Sequence, residues 1–280
     1  TSAENYNNAS AASATLVVTS VPTITLDWGS SSGTYGSSPN TNSTVYINST
    51  GSVYKTLRFI ITNPSTGVNL TGLGFTQTLP AGLFLYSSTV STSSCGSPSA
   101  TAIAGGSSFS IGSASISVNG TCTVSVQVAS TTPGIYAISV PANFLITDQG
   151  LSNTAAGSLT GSPGTSSISL NALQFPTLSQ VFNSASVNVN SPSTYTVTFS
   201  NTNTIALSGA SLTINLPTGL VVASSPNSTN TCSGAFNPSG GSTSIALPSS
   251  ASIPANSSCA IGVSVTAASA GTYAATVPVG

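Results

Sequence analysis

The sequence repeats itself, and this internal repeat limits the folds that the chain can adopt. The segment TLPAGLFLY at residues 78–86 returns as NLPTGLVVA at residues 215–223. The segment PGIYAISVP, which starts at Pro133, returns as AGTYAATVP, which starts at Ala270. Both pairs are 137 residues apart, as are the two copies of a third segment, NGTCTVSV and NSSCAIGV. Such a constant spacing predicts two homologous domains in tandem.

Within each repeat, apolar and polar residues alternate, which is typical of half-buried β-strands. The run TLRFIITN at residues 56–63 shows the alternation in the first repeat, and TYTVTFSN at residues 194–201 shows it in the second. Turn residues interrupt such runs every 8–12 positions or so, and no helical periodicity persists. The pattern predicts an all-β fold made of two tandem immunoglobulin-like β-sandwiches.

The repeat also predicts where the domains lie. We expect a leading strand over residues 1–20, a first sandwich over residues 21–170 and a second sandwich over residues 171–280. The first domain carries an insertion at about residues 28–53, rich in Gly, Asn and Ser, between its first two core strands. We expect this insertion to form an additional hairpin or a long loop.

The order of the motifs resembles that of a known family. In each repeat an Asn at the end of a core strand is followed by LP-x-GL, a Cys, a second Cys in a strand-like run, and a G-x-Y segment that ends in VP. This order is similar to an immunoglobulin-like repeat domain of unknown function that occurs in tandem in bacterial and archaeal surface proteins. The resemblance covers both repeats, and it implies an extracellular, structural or adhesive role without catalysis.

The composition excludes several classes of function. The chain has two residues of Lys and Arg, three of Asp and Glu, and no His. Nucleic-acid binding requires cations that neutralise a row of phosphates, and general acid–base catalysis requires titratable groups at one site. Metal ligands are equally scarce. We therefore expect no enzyme activity, no cofactor, no metal and no nucleic-acid partner. We also expect no membrane-spanning segment, because no apolar run is long enough.

The two repeats end differently. After its VP motif the first repeat continues to the run SSISLNAL, which we expect to supply a closing strand, whereas the second repeat has only VG after its VP. We therefore expect the second domain to lack its final strand, which leaves an apolar groove and unpaired backbone. We read Thr1 as the start of the mature chain.

The run ASATLVVTS at residues 12–20 resembles the closing strand of the first repeat. At a spacing of 154 residues, Leu16 matches Leu170 and Pro22 matches Pro176. We therefore expect the leading segment to be a donor strand, because a strand from outside can complete an open sandwich by β-augmentation. The side chains expected to enter the groove are Ala12, Ala14, Leu16 and Val18.

Three sources can supply the strand that the second domain needs. Identical subunits can donate it head to tail, which builds a homopolymer and hence a filament. Alternatively, the chain is a stalk fragment of a repeat-containing cell-surface adhesin or surface-layer protein, or its own N-terminus closes the groove. The permuted strand order favours donation between copies. In this respect the chain resembles the archaeal thread, a glycosylated, donor-strand-linked surface fibre, which implies an extracellular filament for adhesion or cell–cell contact.

The four cysteines occupy equivalent positions in the two repeats. Each pair is separated by 27 residues. We expect one disulfide in each domain, Cys95 with Cys122 and Cys232 with Cys259, with four free thiols as the alternative. Disulfides are typical of proteins outside the reducing cytosol.

The chain is rich in N-x-S/T sequons, and covalent N-glycans would keep its nearly uncharged surface soluble. Asn119 and Asn256 are equivalent in the two repeats, and each stands three residues before a Cys. Several sequons are expected by chance in a chain so rich in Asn, Ser and Thr. The candidate glycosylation sites are Asn8, Asn42, Asn48, Asn69, Asn119, Asn227 and Asn256.

The charged residues near the first core strands have two interpretations. Asp27 lies beside Trp28, while Lys55 and Arg58 lie near the start of a later strand. We expect a plain ion pair or solvated charges here, with an isopeptide bond through Lys55 as the alternative.

Overall fold

The computed structural model describes residues 19–29, 42–47, 54–153 and 167–277. These residues form an all-β structure without a helix, which confirms the predicted fold class. Accordingly, the described ranges contain no helix of the length and apolarity needed to cross a membrane. They divide into two compact units, whose largest continuous parts are Tyr54–Ala129 in the first unit and residues 171–277 in the second.

Seventeen strands are numbered here in chain order. Ten of them precede the second repeat: β1 Thr23–Gly29, β2 Asn42–Ile47, β3 Lys55–Thr62, β4 Leu70–Thr78, β5 Leu83–Ser93, β6 Ser99–Ala102, β7 Ser108–Ile116, β8 Thr121–Ser130, β9 Gly134–Ser139 and β10 Ser167–Gln174. The others are β11 Thr177–Phe182, β12 Ser193–Asn201, β13 Leu207–Asn215, β14 Leu220–Val222, β15 Thr229–Asn230, β16 Ser244–Ile253 and β17 Ser257–Ala267.

The first repeat contains a sheet in the order β1-β3-β8-β5 and a sheet in the order β4-β7-β6. Their inner faces share one aromatic core, since the ring of Phe59 on β3 lies 5.3 Å from that of Phe75 on β4 and 5.5 Å from that of Phe109 on β7. Phe59 is completely buried. The alternation of buried residues along β8 in one sheet and β7 in the other therefore makes one face of each sheet apolar, as a β-sandwich requires.

A third sheet has the order β2-β10-β9. Strand β2 lies within the predicted insertion at residues 28–53, so part of that insertion is a strand. Residues 30–41 and 48–53 of the insertion lie outside the described residues. The described residues therefore test the expectation of a hairpin or a long loop only at β2, which is a strand.

The second repeat contains a sheet in the order β11-β12-β17-β14, with β15 also paired to β17, and a two-stranded sheet of β13 and β16. Both sheets contribute to one buried apolar cluster, which includes Tyr195 and Val197 from β12, Ile214 from β13 and Ile245 from β16. The second repeat is thus also a sandwich around a single core.

A buried asparagine occupies the same place in both repeats. Asn63, just after β3, is completely buried, and Asn201, at the end of β12, is 1% exposed. The side-chain amide of each donates to three backbone carbonyls, and the side-chain oxygen of each accepts from the backbone N–H two residues later. The carbonyls belong to Val68, Ile116 and Ser117 for Asn63, and to Ile205, Ile253 and Pro254 for Asn201. These bonds satisfy backbone groups where the strand ends, which explains why the motif recurs.

Candidate strand-binding site

The first repeat shows what completes a domain of this kind. Strand β10 lies in the middle of the third sheet and is hydrogen-bonded to β2 on one edge and to β9 on the other. Its side chains alternate, with Ile168 2% exposed and with Leu170 and Ala172 fully buried. Strand β10 therefore contributes apolar side chains to the interior and satisfies the backbone of both neighbours.

The second repeat has no such strand among its described residues. Residues 271–276 match β9 in sequence, yet they form no strand, and no strand follows β17 up to residue 277. Within this described part, the backbone N–H groups of residues 268–277 donate no hydrogen bond to a backbone carbonyl. A segment with the sequence of a strand thus lacks the neighbour that would pair with it.

A cleft lies beside this unpaired segment. It has a volume of about 420 Å³, and its lining includes residues of the segments 184–191 and 269–273. The segment 183–192 joins β11 to β12, as the insertion that contains β2 joins β1 to β3. One side of the cleft therefore contains residues 271–273, which match the start of β9, and the other side contains the connection that stands in place of the insertion.

Strand β11 is uncovered on the face that its counterpart buries. At a spacing of 154 residues, Ile24 on β1 matches Leu178 on β11. Ile24 is 1% exposed, whereas Leu178 is 45% exposed. Trp28 is buried, whereas its counterpart Phe182 is half-buried. The apolar pattern of the two strands is similar, so the difference reflects packing around β1 that the described residues of the second repeat do not provide around β11.

Polar contacts hold residue 275 beside the uncovered face of β11, and the sequence did not predict them. The side-chain amide of Gln180 on β11 donates to the carbonyl of Ala275 at 3.2 Å. The hydroxyl of Tyr195 donates to the side-chain oxygen of Gln180, and burial raises the pKa of Tyr195. Because Tyr195 and Gln180 hold residue 275 near β11, the groove is partly formed without an added strand.

A glycine and a tyrosine pack together in each repeat. Gly82 and Gly219 have φ values of 97° and 93°, a region that other residues avoid. A Cβ on Gly82 would lie 2.7 Å from the ring of Tyr136, and one on Gly219 would lie 2.9 Å from the ring of Tyr273. Tyr136 is buried at the start of β9, whereas Tyr273 is half-buried in the unpaired segment.

We expect Gly82→Ala to lower the free energy of unfolding by about 2–3 kcal/mol and Gly219→Ala to lower it by about 1–2 kcal/mol. Both variants place an alanine at a strained positive φ. The buried Tyr136 cannot move away from the new methyl group, whereas the half-buried Tyr273 can. Urea unfolding checks both values, with fluorescence of the single tryptophan, Trp28, as the signal for the first unit. A larger loss for Gly219→Ala would contradict the assignment of Tyr273 to an open edge.

The predicted donor residues Ala12, Ala14, Leu16 and Val18 lie outside the described residues. Their counterparts in the first repeat are described for all but Ala12. At a spacing of 154 residues, Ala14, Leu16 and Val18 match Ile168, Leu170 and Ala172, the residues that β10 buries. The predicted inward side of the leading strand is thus the side that is apolar and buried in its counterpart.

The cysteines form two disulfides, Cys95–Cys122 and Cys232–Cys259. Each closes a segment with a sequence separation of 27 residues. The four described cysteines therefore leave no free thiol.

The described sequon asparagines are exposed, while Asn8 and Asn48 lie outside the described residues. The exposed ones are Asn42, Asn69, Asn119, Asn227 and Asn256. Asn119 and Asn256 share a positive φ, 54° and 46°, and both stand in the turn before a core strand. Attachment of glycans at these positions stays a prediction.

Two of the charged residues form a buried ion pair. Asp27 and Arg58 lie directly opposite each other on β1 and β3. The described residues contain no group of three His, Cys, Asp or Glu side chains that could hold a metal ion. The ion pair agrees with the first of the two interpretations given above, and both of its residues belong to the first repeat.

One family model matches the chain twice. The family is described as "Domain of unknown function (DUF7933)", and the matches cover residues 42–160 and 176–278. No curated protein matches the sequence.

Several solved structures are similar at low identity. The collagen binding domain of the surface protein RspB from Erysipelothrix rhusiopathiae is 12% identical, with 89% of this chain and 81% of that chain covered and a TM-score of 0.27. A type II cohesin dyad of the ScaA scaffoldin from Acetivibrio cellulolyticus is 14% identical, with coverages of 82% and 86% and a TM-score of 0.28. Collagen adhesin CNA from S. aureus is 10% identical, with coverages of 86% and 80% and a TM-score of 0.23. With TM-scores this low, the similarity does not carry the binding properties of those proteins to this chain.

Proposed function

The chain belongs to the family described as "Domain of unknown function (DUF7933)", and from that premise we propose that it is a structural module of a secreted or surface-exposed protein. Two sandwiches in series, each closed by its own disulfide, support this proposal. Disulfides persist outside the reducing cytosol. A disulfide in each repeat stabilises that repeat against unfolding. On this proposal the protein is a structural spacer and linker, and it catalyses no reaction.

We further propose that the second repeat binds one extended strand, residues 12–20 of a second copy of the chain. The observation that supports this proposal is the cleft beside residues 271–273, which match the start of β9, the strand that β10 pairs with in the first repeat. The segment 12–20 is the counterpart of β10 in sequence. A chain that has both the strand and the open place for it can join to a copy of itself.

The energetics favour such an interaction when the groove is preformed. Backbone hydrogen bonds contribute about 0.5–1.5 kcal/mol each in net terms, and an extended strand forms several. Burial of Leu16 and Val18 contributes about 1.5–3 kcal/mol for each side chain. Because Gln180 and Tyr195 already hold one side of the groove, less conformational entropy is lost when the strand binds.

Strand donation in one direction has a defined consequence for assembly. The donor segment precedes the first repeat and the acceptor is the second repeat, so the contact is head to tail. Heterologous contacts of this kind continue indefinitely unless a rotation closes them into a ring. The proposed product is an extracellular filament that serves adhesion or cell–cell contact.

A second candidate is a stalk of a repeat-containing adhesin or surface-layer protein. The tandem match to one family supports it, because stalks are built from such repeats in series. In that arrangement the strand that enters the cleft comes from another part of the same polypeptide. The two candidates share the groove and differ in the source of the strand.

Electron microscopy of the purified chain tests the two candidates. We compare the chain with a variant that lacks residues 1–20 and with Leu16→Asp, which places a charge where the groove is apolar. As a matched control we use Ser13→Asp, whose side chain faces away from the groove in the proposed strand. Donation between copies predicts filaments for the intact chain and the control, and none for the other two variants. Particles of single chains in all four samples would favour the stalk.

A further inference from the structure

The incoming strand would meet two different edges in the second repeat, and only one of them is expected from the repeat pattern. Residues 271–276 correspond to β9, and residues 271–273 line one side of the cleft. On the other side lies the segment 183–192, which is much shorter than the segment between β1 and β3. The described residues of 183–192 form no strand.

The segment 183–192 nevertheless has the sequence of a strand. Residues 186–190 read SVNVN, with β-branched valines at alternate positions. Val187 and Val189 both line the cleft, and both are 47% exposed. Alternating residues point to the same side of an extended chain, so the two valines can face one partner together.

The N–H groups of this segment are available for pairing, whereas the carbonyl of Asn188 already accepts from the N–H of Ser191 at 3.0 Å. Within the described part, the N–H groups of residues 185–189 donate no hydrogen bond to a backbone carbonyl. The segment is tethered at its two ends instead. The N–H of Asn183 donates to the carbonyl of Thr194 at 2.9 Å, and the N–H of Asn190 donates to the carbonyl of Ala267 at 2.9 Å. The tethers keep unpaired backbone beside the cleft.

We propose that residues 185–189 form a strand on the outer edge of the incoming strand, so that the second repeat holds its partner from both sides. The inference rests on the proposed strand-binding function and adds the second edge to it. The partner is an extended segment of a second copy, residues 12–20, flanked by 271–276 and 185–189 in the order that β9, β10 and β2 show in the first repeat. A strand paired on both edges dissociates only when both sets of hydrogen bonds break, which makes the joint more durable than one-sided β-augmentation.

The experiment uses synthetic peptides of residues 12–20 and the full chain with Leu16→Asp, which leaves the groove open. Successive N–H groups of a strand point to opposite edges. One peptide is N-methylated at Ser13, Thr15 and Val17, and a second at Ala14, Leu16 and Val18, so each loses its donors on one edge only. Binding of each labelled peptide is measured by fluorescence anisotropy.

Two-sided pairing predicts that both methylated peptides bind at least about tenfold more weakly than the unmethylated one. It also predicts that amide hydrogen exchange slows at least about tenfold at alternate residues of 185–189 when the unmethylated peptide binds. If only one methylated peptide loses affinity, or if exchange is unchanged throughout 185–189 while the peptide binds, the inference of a second edge is wrong and the proposed groove is retained. If the unmethylated peptide does not bind, the proposed strand-binding function itself is wrong.

Discussion

Asp27→Asn lowers the free energy of unfolding by about 3–5 kcal/mol, because it leaves the charge of Arg58 buried beside a neutral side chain. Asp27 is 3% exposed and Arg58 is 9% exposed, in a chain with few other charges. Burial lowers the pKa of the Arg58 guanidinium, the direction expected when a cation is removed from water. Urea unfolding followed by Trp28 fluorescence and circular dichroism measures the loss.

The second repeat supplies the control for this prediction. Asp27 and Arg58 are partners on β1 and β3, and the corresponding partners on β11 and β12 are Val181 and Thr196. The double variant Asp27→Val with Arg58→Thr therefore places in the first repeat the uncharged pair that stands at this register position in the second repeat. We expect it to recover most of the stability that Asp27→Asn loses, because no charge stays buried. An Asp27→Asn variant as stable as the natural chain would show that the ion pair is solvated.

Removal of one disulfide has the next largest expected effect. Replacing Cys232 and Cys259 by alanine removes a link with a sequence separation of 27 residues. In the chain-entropy model this costs about 3–4 kcal/mol, because the unfolded chain regains conformational freedom. For a unit of this size, the melting temperature is expected to fall by at least about 10 °C.

The first repeat provides the matched comparison. Cys95 and Cys122 have the same separation, so the entropic contribution of their disulfide is the same. Calorimetry of the two double-alanine variants is expected to show similar losses, each in a different unit, and reduction of the natural chain is expected to reproduce both. A loss below about 1 kcal/mol in either variant would indicate that the reduced chain keeps the two segments together by other contacts.

Much of the architecture follows from local patterns in the sequence. The alternation in TLRFIITN and TYTVTFSN predicts β3 and β12, since side chains of a half-buried strand alternate between interior and solvent. The repeated spacing of the cysteines predicts the pairs that the structure joins. These features depend on residues close in sequence or on the repeat itself, which explains why the sequence alone predicts them.

The state of a strand that lacks a partner was harder to predict. Residues 271–276 resemble β9, and SVNVN at residues 186–190 reads as a strand, yet neither is one in the structure. A β-strand is stabilised by its neighbours, so sequence pattern alone cannot show whether the neighbour is present. For the same reason, the similar patterns of β1 and β11 gave no sign that Leu178 is exposed where Ile24 is buried.

The polar contacts of the groove were missed for a different reason. Gln180 matches Leu26 in the first repeat, at a position where an apolar residue is expected. Its role is visible only when Tyr195 and Ala275 are placed beside it, since these residues are distant in sequence. The one available signal was a polar residue, Gln180, between Leu178 and Phe182 at the position where β1 has Leu26.

Amide hydrogen exchange across residues 271–277 shows whether the second repeat accepts an added strand. The sample is the chain without residues 1–20, measured alone, with a peptide of residues 12–20, and with a scrambled peptide of the same composition. We expect only the natural peptide to slow exchange in this segment, by at least about tenfold, because the backbone groups gain hydrogen-bond partners. Equal exchange in all three samples would show that the open edge binds no such strand and that the proposed strand binding is wrong.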